Sequence, residues 1–329
     1  MAGQVDHGHA HGGRSLRLEE LHADAAEELG LLLSRSLTYD ECSVALVRAK
    51  VFDDPAARPR YTLSLRAGDR LVATVAGVVQ ERQEEDRTVR AGHLKVLATD
   101  PALRRQGHAA RLLDELEARF AADGLDDVWI KGARCYFWPG IDLRYSAALC
   151  LLMRRDYVRV DDALNLGVDL DGRDFSTTAE EAALAGEGII IRRLEEGERV
   201  TMDSYMQRWG QGWHDEVMQA FDHHPISCHI ALQEGHVVGF AATDIVRPGW
   251  FGPMGTEEHV RGKGIGSILL RRCLVDWQRT GRKYGEIAWA GPLYFYITAV
   301  DARVSRVMWQ MRKRLPNAGT TPAQTQHGP

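Results

Sequence analysis

The sequence predicts an α+β fold of two tandem domains, each a mixed, mostly antiparallel sheet flanked by helices. Three observations predict it. A glycine turn, Arg261-Gly262-Lys263-Gly264-Ile265-Gly266, follows the extended segment Trp250 to Thr256 and opens an apolar helical run to Thr280. A second such turn, Arg104-Arg105-Gln106-Gly107-His108-Ala109, stands 157 residues earlier, after the extended segment His93 to Thr99 and before the amphipathic run Ala110 to Phe120. The order of elements repeats around the two turns, and it does not alternate strand and helix throughout, as a doubly wound sheet would require.

A chain of 329 residues accommodates two domains with a core each. It is 44% apolar and 26% charged, with a net charge of −5, which argues against a general nucleic-acid binder. Cys42, Cys135, Cys150, Cys228 and Cys273 are an odd, scattered set without zinc-site spacing, so reduced thiols and no metal are expected. No apolar run reaches the roughly 18 residues that suggest a membrane span. Nor does a basic-then-apolar leader open the chain, so a cytoplasmic protein without membrane partners is expected.

Residues 1–13, with His7, His9 and His11 among Gly and Ala, are expected to be a solvated, disordered tail. The N-terminal domain is expected over 14–172. It starts with a short strand, Leu16 to Leu18, and a helix carrying Leu21, Leu29, Leu31, Leu32 and Leu33 at helical spacing. Tyr61 to Leu65 alternates with period two, turns at Ala67-Gly68-Asp69-Arg70 and returns as Leu71 to Val79. The charged segment Gln80 to Arg90 reads as a solvent loop. Leu94 to Ala98 is a third strand, closed by Pro101 before the first glycine turn. Val128 to Ile130 is a strand, Ser146 to Arg155 a helix and Leu164 to Val168 a strand.

Residues 173–187 shift toward Asp, Thr, Glu and Ala and are expected to be a linker. The C-terminal domain, 188–315, then repeats the order. It has the strand Ile189 to Ile191, helical runs near 197–209 and 214–221, and a hairpin of Cys228 to Leu232 with Val237 to Thr243. The strand Trp250 to Thr256 and the second glycine turn follow. After them come the strand Glu286 to Trp289, a short helix beyond Pro292 and a strand within Arg303 to Met311. Residues 316–329 are expected to be a disordered tail.

Each turn places unshielded backbone N–H groups at a helix N-terminus, an arrangement that holds an anionic phosphate. A nucleotide-hydrolase loop needs Gly-Lys-Ser/Thr, and Gly262-Lys263-Gly264 has the wrong order. A dinucleotide fingerprint needs a third glycine and a different strand order. Arg-x-x-Gly-x-Gly/Ala after an antiparallel strand instead resembles the pyrophosphate loop of the GNAT superfamily of acyl-CoA-dependent N-acyltransferases. Arg261, Gly264 and Gly266 match it, as do Arg104, Gly107 and Ala109. The resemblance covers nearly the whole chain as two GNAT-like domains.

The resemblance implies acetyl-CoA as co-substrate. Its pyrophosphate would meet Arg261, Gly262, Lys263, Gly264, Ile265, Gly266 and Ser267 in the C-terminal domain. In the N-terminal domain the corresponding residues are Arg104, Arg105, Gln106, Gly107, His108 and Ala109. Its pantetheine would pair with the strand edge at Met254, Gly255 and Thr256, and at Leu97, Ala98 and Thr99. Many family members use a tyrosine on the helix after the fifth strand to protonate the departing thiolate, and Tyr296 falls there. The equivalent position in the N-terminal domain falls near Leu152, so that domain is expected to be degenerate, with Tyr136 or Tyr145 as substitutes.

The base is not readable. Asp244, Glu257, Glu258, His259 and Glu286 lie near the expected site in sequence, yet each also reads as a surface charge. His108 reads either as a phosphate contact or as an ordinary exposed histidine. The aromatic clusters Tyr136 to Asp142 and Trp289 to Tyr294 read either as acceptor-binding surfaces or as packing between domains. The resemblance therefore implies an N-acetyltransferase acting on a small-molecule amine. An amino sugar comes first, because the second cluster and Phe251 to Gly255 are similar to tandem GNAT proteins that acetylate glucosamine. An aminoglycoside or a cysteinyl pseudodisaccharide comes next, since mycothiol synthase is also a tandem GNAT enzyme. A non-catalytic acyl-CoA-binding sensor and a protein N-acetyltransferase stay open as alternatives.

Overall fold

The structure, a computed structural model, describes residues 16–84 and 87–316. The tails expected over 1–13 and beyond Pro316 lie outside the described residues. The chain divides into two units, Met1–Val128 with Arg314–Pro329, and Trp129–Lys313.

In the first unit the period-two segments form an antiparallel ladder. Strand β1 (Arg17–Glu20) precedes α1 (Ala26–Ser36) and α2 (Val44–Val47), and β2 (Thr62–Ala67), β3 (Arg70–Glu84) and β4 (Arg87–Thr99) follow. The four strands pair in the order β1-β2-β3-β4. The α1 leucines Leu29, Leu32 and Leu33 are fully buried, as their spacing on one helical face requires. Helix α3 (His108–Ala122) opens at the glycine turn, and Leu112, Leu116 and Phe120 bury its inner face. Phe120 seats where β3 and β4 carry glycine: a Cβ on Gly92 would stand 2.6 Å from its ring. Strand β5 (Asp127–Ile130) crosses the division between the units.

One expectation is corrected here. Gln80 to Arg90 is not a solvent loop, because β3 and β4 continue as one long hairpin with Gln80 opposite Ala91 and Glu81 opposite Arg90. Glu81 and Arg90 form an ion pair at 3.5 Å. Strands exposed on a face tolerate charge when opposite signs face each other, so the run of charges concealed the ladder.

The second unit contains β6 (Ile141–Asp142), α4 (Ser146–Met153), β7 (Val158–Asp169), α5 (Thr178–Gly186), β8 (Ile189–Arg193), α6 (Arg199–Met206) and α7 (Gln211–Gln219). It continues with β9 (Cys228–Gln233), β10 (His236–Thr243), β11 (Trp250–Thr256), α8 (Ile265–Arg279), β12 (Tyr284–Ile287), α9 (Leu293–Val300) and β13 (Arg303–Arg314). The sheet runs β13-β7-β12-β11-β10-β9-β8, with β6 on β13. Among the described pairs of this sheet only β11 and β12, joined through α8, run parallel. One apolar core holds Leu269, Leu274 and Trp277 of α8 with Tyr296 and Val300 of α9. A second holds Met202, Tyr205, Val217 and Phe240, drawn from α6, α7 and β10.

The segment expected as a linker, 173–187, contains α5, and Phe175 and Leu184 are buried in the α8 core. Glu180 and Glu181 on α5 pair with Arg271 and Arg272 on α8, each at 2.7 Å. Strand β7 precedes that segment, yet it lies between β12 and β13, with Leu166 opposite Ile287 and Ala163 opposite Met308. Composition marks a boundary at 173–187, while the two compact units divide at Val128.

A buried ionic cluster ties β8 and β9 to α8. His229, 3% exposed, contacts Asp276 through Nε2 at 2.7 Å, and Arg272 donates to its Nδ1 at 3.2 Å. A nitrogen that accepts from arginine carries no proton, so the ring is neutral and Nε2–H donates to Asp276. Burial holds the His229 pKa below its ordinary value despite Asp276. The Asp276 pKa is lowered too, with burial opposing and His229 and Arg193 favouring the carboxylate. Both folded pKa values lie below the unfolded ones, so this stability is present above the unfolded histidine value near 6.5 and is lost as pH falls. Thermal melts from pH 7.5 to 5 should show a falling Tm that flattens in His229→Gln; an unchanged slope in that variant counts against the cluster.

Candidate active site

The second turn is built from backbone. Arg261 is extended at ψ 152°, Gly262 takes φ +83°, and Gly264 caps α8 at φ +82°, ψ −2°. A left-handed φ disfavours side chains, which is why glycine recurs at this spacing. Nothing lies within 4 Å of a Cβ built on Gly262 or Gly264, so the turn opens outward. Ile268 makes the first intrahelical bond, to Gly264 O at 3.1 Å. The N–H groups of Ile265, Gly266 and Ser267 therefore lack helical partners. Ile265 is buried in the core and anchors the turn, and Gly266 faces Met254 and Phe295. Lys263 reaches Glu187 at 2.8 Å, while the Arg261 side chain is exposed.

Beside the turn, two strands part. β12 pairs with β11 only at Trp250–Glu286 and Phe251–Ile287, and the last link is Ala288 N–H to Phe251 O at 3.1 Å. On its other side β11 pairs with β10 through Thr256, after an irregularity at Gly252-Pro253. Glu257 N–H donates to Val238 O at 2.8 Å, which makes Gly255–Phe240 the next hydrogen-bonded pair. Alternation then directs the backbone groups of Met254 and Thr256 away from β10, into the opening. Gly255 spends its backbone on β10 and its missing side chain on Trp209, whose ring would stand 2.7 Å from a Cβ there.

The first turn has the same backbone and different surroundings. Gly107 caps α3 at φ +82°, ψ −1°, and Arg105 takes φ +62° where the second turn has glycine. Gln106 is exposed, Ala109 half-buried, and Arg111 N–H bonds Gly107 O at 2.9 Å. By the same alternation Leu97 and Thr99 face away from β3, and Ala98 bonds to it. The Thr99 carbonyl, however, already accepts from Arg104 Nε at 3.3 Å and Ser36 Oγ at 3.2 Å. Arg104 also donates to Ser36 O at 2.8 Å. Burial and Arg111 lower the His108 pKa, so it carries less positive charge than an ordinary histidine. The two turns thus differ in how their cations are engaged: Arg104 is tied to backbone carbonyls, and Lys263 is paired with Glu187.

Tyr296 lies on α9, 6% exposed, its ring edge-on to Phe251 and Phe295. Burial pushes its phenol up to about 12. Leu152 occupies a similarly buried place on α4. Tyr136 is half-buried, and burial and Glu216 raise its pKa.

Two base candidates are structural. Asp244 accepts from Gly249 N–H at 2.5 Å and Trp277 Nε1 at 2.7 Å. Glu286 accepts from Asn165 Nδ2 at 3.1 Å and Arg306 Nε at 3.2 Å. Glu257 pairs with Arg208 at 3.0 Å, and Glu258 and His259 are exposed. Asn165, Arg306 and Trp209 had no sequence signal as site residues, because their partners lie on distant strands and helices.

Comparison with known proteins adds the following. The acetyltransferase (GNAT) family model matches residues 21–135 and 194–290, together more than half of the chain. Among curated proteins none matches in sequence. A solved GCN5-related glucosamine N-acetyltransferase region of a fungal multi-domain GH3 β-N-acetylglucosaminidase superposes with a TM-score of 0.71 at 15% identity over 91% of this chain. This chain spans 38% of that protein's length. A GCN5-related N-acetyltransferase from Sphaerobacter thermophilus gives 0.61 at 18% identity, covering 91% of this chain and 96% of that one. A tandem GNAT protein from the clavulanic acid biosynthesis pathway gives 0.62 at 13%, covering 92% and 99%. At such identities the likeness carries the fold alone.

Proposed function

This chain belongs to the acetyltransferase (GNAT) family, and from that premise we propose that it transfers an acetyl group from acetyl-CoA to the amine of a small molecule, with the second turn as the working site. The observation that carries the proposal is the opening between β11 and β12 beside an outward-facing glycine turn. The fit to the coenzyme is chemical: N–H groups and Arg261 for a pyrophosphate, and the Met254 and Thr256 backbone for amides. Acetyl-CoA supplies an activated acyl group, and amine plus thioester gives amide plus thiol.

Tyr296, whose ring packs on Phe251 where β11 and β12 part, is the proton-bearing group of this proposal. A phenol near 12 is a weaker acid than a thiol near 8.5, so its part is to donate a hydrogen bond to the developing thiolate. Tyr296→Phe should lower kcat roughly 10- to 100-fold, the loss of one hydrogen bond to a charged group, and leave acetyl-CoA binding within about 3-fold. Thiol release across a panel of amines measures this, and an unchanged kcat removes Tyr296 from the mechanism. An amino sugar is the leading acceptor, since Trp289 and Tyr294, 42% and 81% exposed, flank Gly291-Pro292.

A further inference from the structure

Trp289 is a bulky residue at φ +45°, a conformation that costs energy and persists only where its surroundings impose it. Its backbone N–H donates to Asn165 Oδ1 at 3.0 Å. Asn165, on β7 and wholly buried, uses its Nδ2 on Glu286, and Glu286 is held in turn by Arg306. Arg306 also approaches Asp142 at 3.6 Å. Asn165 thus meets the strained peptide directly, and Glu286, Arg306 and Asp142, from three further strands, form a polar chain behind it.

That peptide follows Ala288, the last residue linking β12 to β11, so the strain sits where the two strands part. The indole rests against Gly132, where a Cβ would stand 2.2 Å from the ring. The Tyr136 ring meets it edge-on at 5.9 Å. An indole placed merely to fill a core would be covered, yet this one is 42% exposed.

We propose that Trp289 is the specificity-determining residue for the acceptor, and that Asn165 is the positioning residue that sets it. The proposal rests on the acetyl-transfer reading and sharpens its substrate class. A flat, rigid indole at the mouth of the opening suits an amine on a saturated, hydroxylated ring, whose C–H face stacks on the aromatic face. It offers much less to a flexible acyclic amine.

The test compares kcat/KM for glucosamine and for 1,3-diaminopropane in the full chain, with acetyl-CoA affinity measured alongside. Trp289→Ala should lose roughly 30-fold on glucosamine and under about 3-fold on the diamine, the scale of one pocket contact. Trp289→Phe should recover most of the loss. Gly132→Ala should reproduce the loss without altering Trp289 itself, because its Cβ displaces the ring. Asn165→Ala should raise KM for glucosamine roughly 10-fold, with kcat and acetyl-CoA affinity held within about 3-fold. Equal losses on both amines, or a wild type that prefers the diamine, overturn the proposal and leave acetyl transfer standing. If acetyl-CoA binds but neither these amines nor a wider panel release thiol, acetyl transfer fails, and this proposal with it.

Discussion

Gly264→Asp is expected to weaken acetyl-CoA binding by at least roughly 100-fold, about 2.7 kcal/mol, while the protein stays folded. Gly264 caps α8 at φ +82°, where aspartate is among the better tolerated side chains, and no atom obstructs a Cβ there. A carboxylate at a helix N-terminus even favours the helix. The same carboxylate, however, competes for the N–H groups of Ile265, Gly266 and Ser267 and repels a pyrophosphate. Gly107→Asp should cost much less, because Arg104 is already committed to Ser36 and Thr99. Titration calorimetry with acetyl-CoA measures both variants. A Gly264→Asp affinity within about 3-fold of wild type removes the second turn from the binding site.

A truncated chain beginning at Arg173 is expected not to fold, although it retains the second turn and every element after it. It lacks β7, which pairs with β12 on one side and β13 on the other. Leu166, Val168 and Leu170 of the missing segment are at most 1% exposed. Each such loss costs about 2–5 kcal/mol, against a total stability of about 5–15 kcal/mol. Two bare strand edges would also invite aggregation. Calorimetry and far-UV circular dichroism decide the matter. A cooperative melt with retained coenzyme binding would show that residues from Arg173 onward form an independent domain.

What the sequence disclosed was local. Gly262 and Gly264 take left-handed φ angles, as does Gly107, so the turn was written at positions that favour glycine. Trp250 to Thr256 came out as a strand with those limits, because its bounds are set by nearby turn chemistry. Arg105 adopts φ +62° with a side chain, a conformation that no residue type announces. The engagement of Arg104 with Ser36, 68 residues away, has no local signature. Insertion of β7 between β12 and β13 likewise depends on pairings between residues far apart in the chain. The lock on Trp289 joins Asn165 to a peptide 124 residues later, which no local pattern signals. Glu286 looked like a candidate base in sequence, and the structure ties both its oxygens to Asn165 and Arg306.

The most direct test of the central claim is amine-dependent release of free thiol from acetyl-CoA. It should be followed in parallel for wild type, Gly264→Asp and Gly107→Asp. Acetyl transfer at the second turn predicts release that glucosamine stimulates in wild type, that persists in Gly107→Asp and that disappears in Gly264→Asp. Release abolished in Gly107→Asp and intact in Gly264→Asp contradicts it.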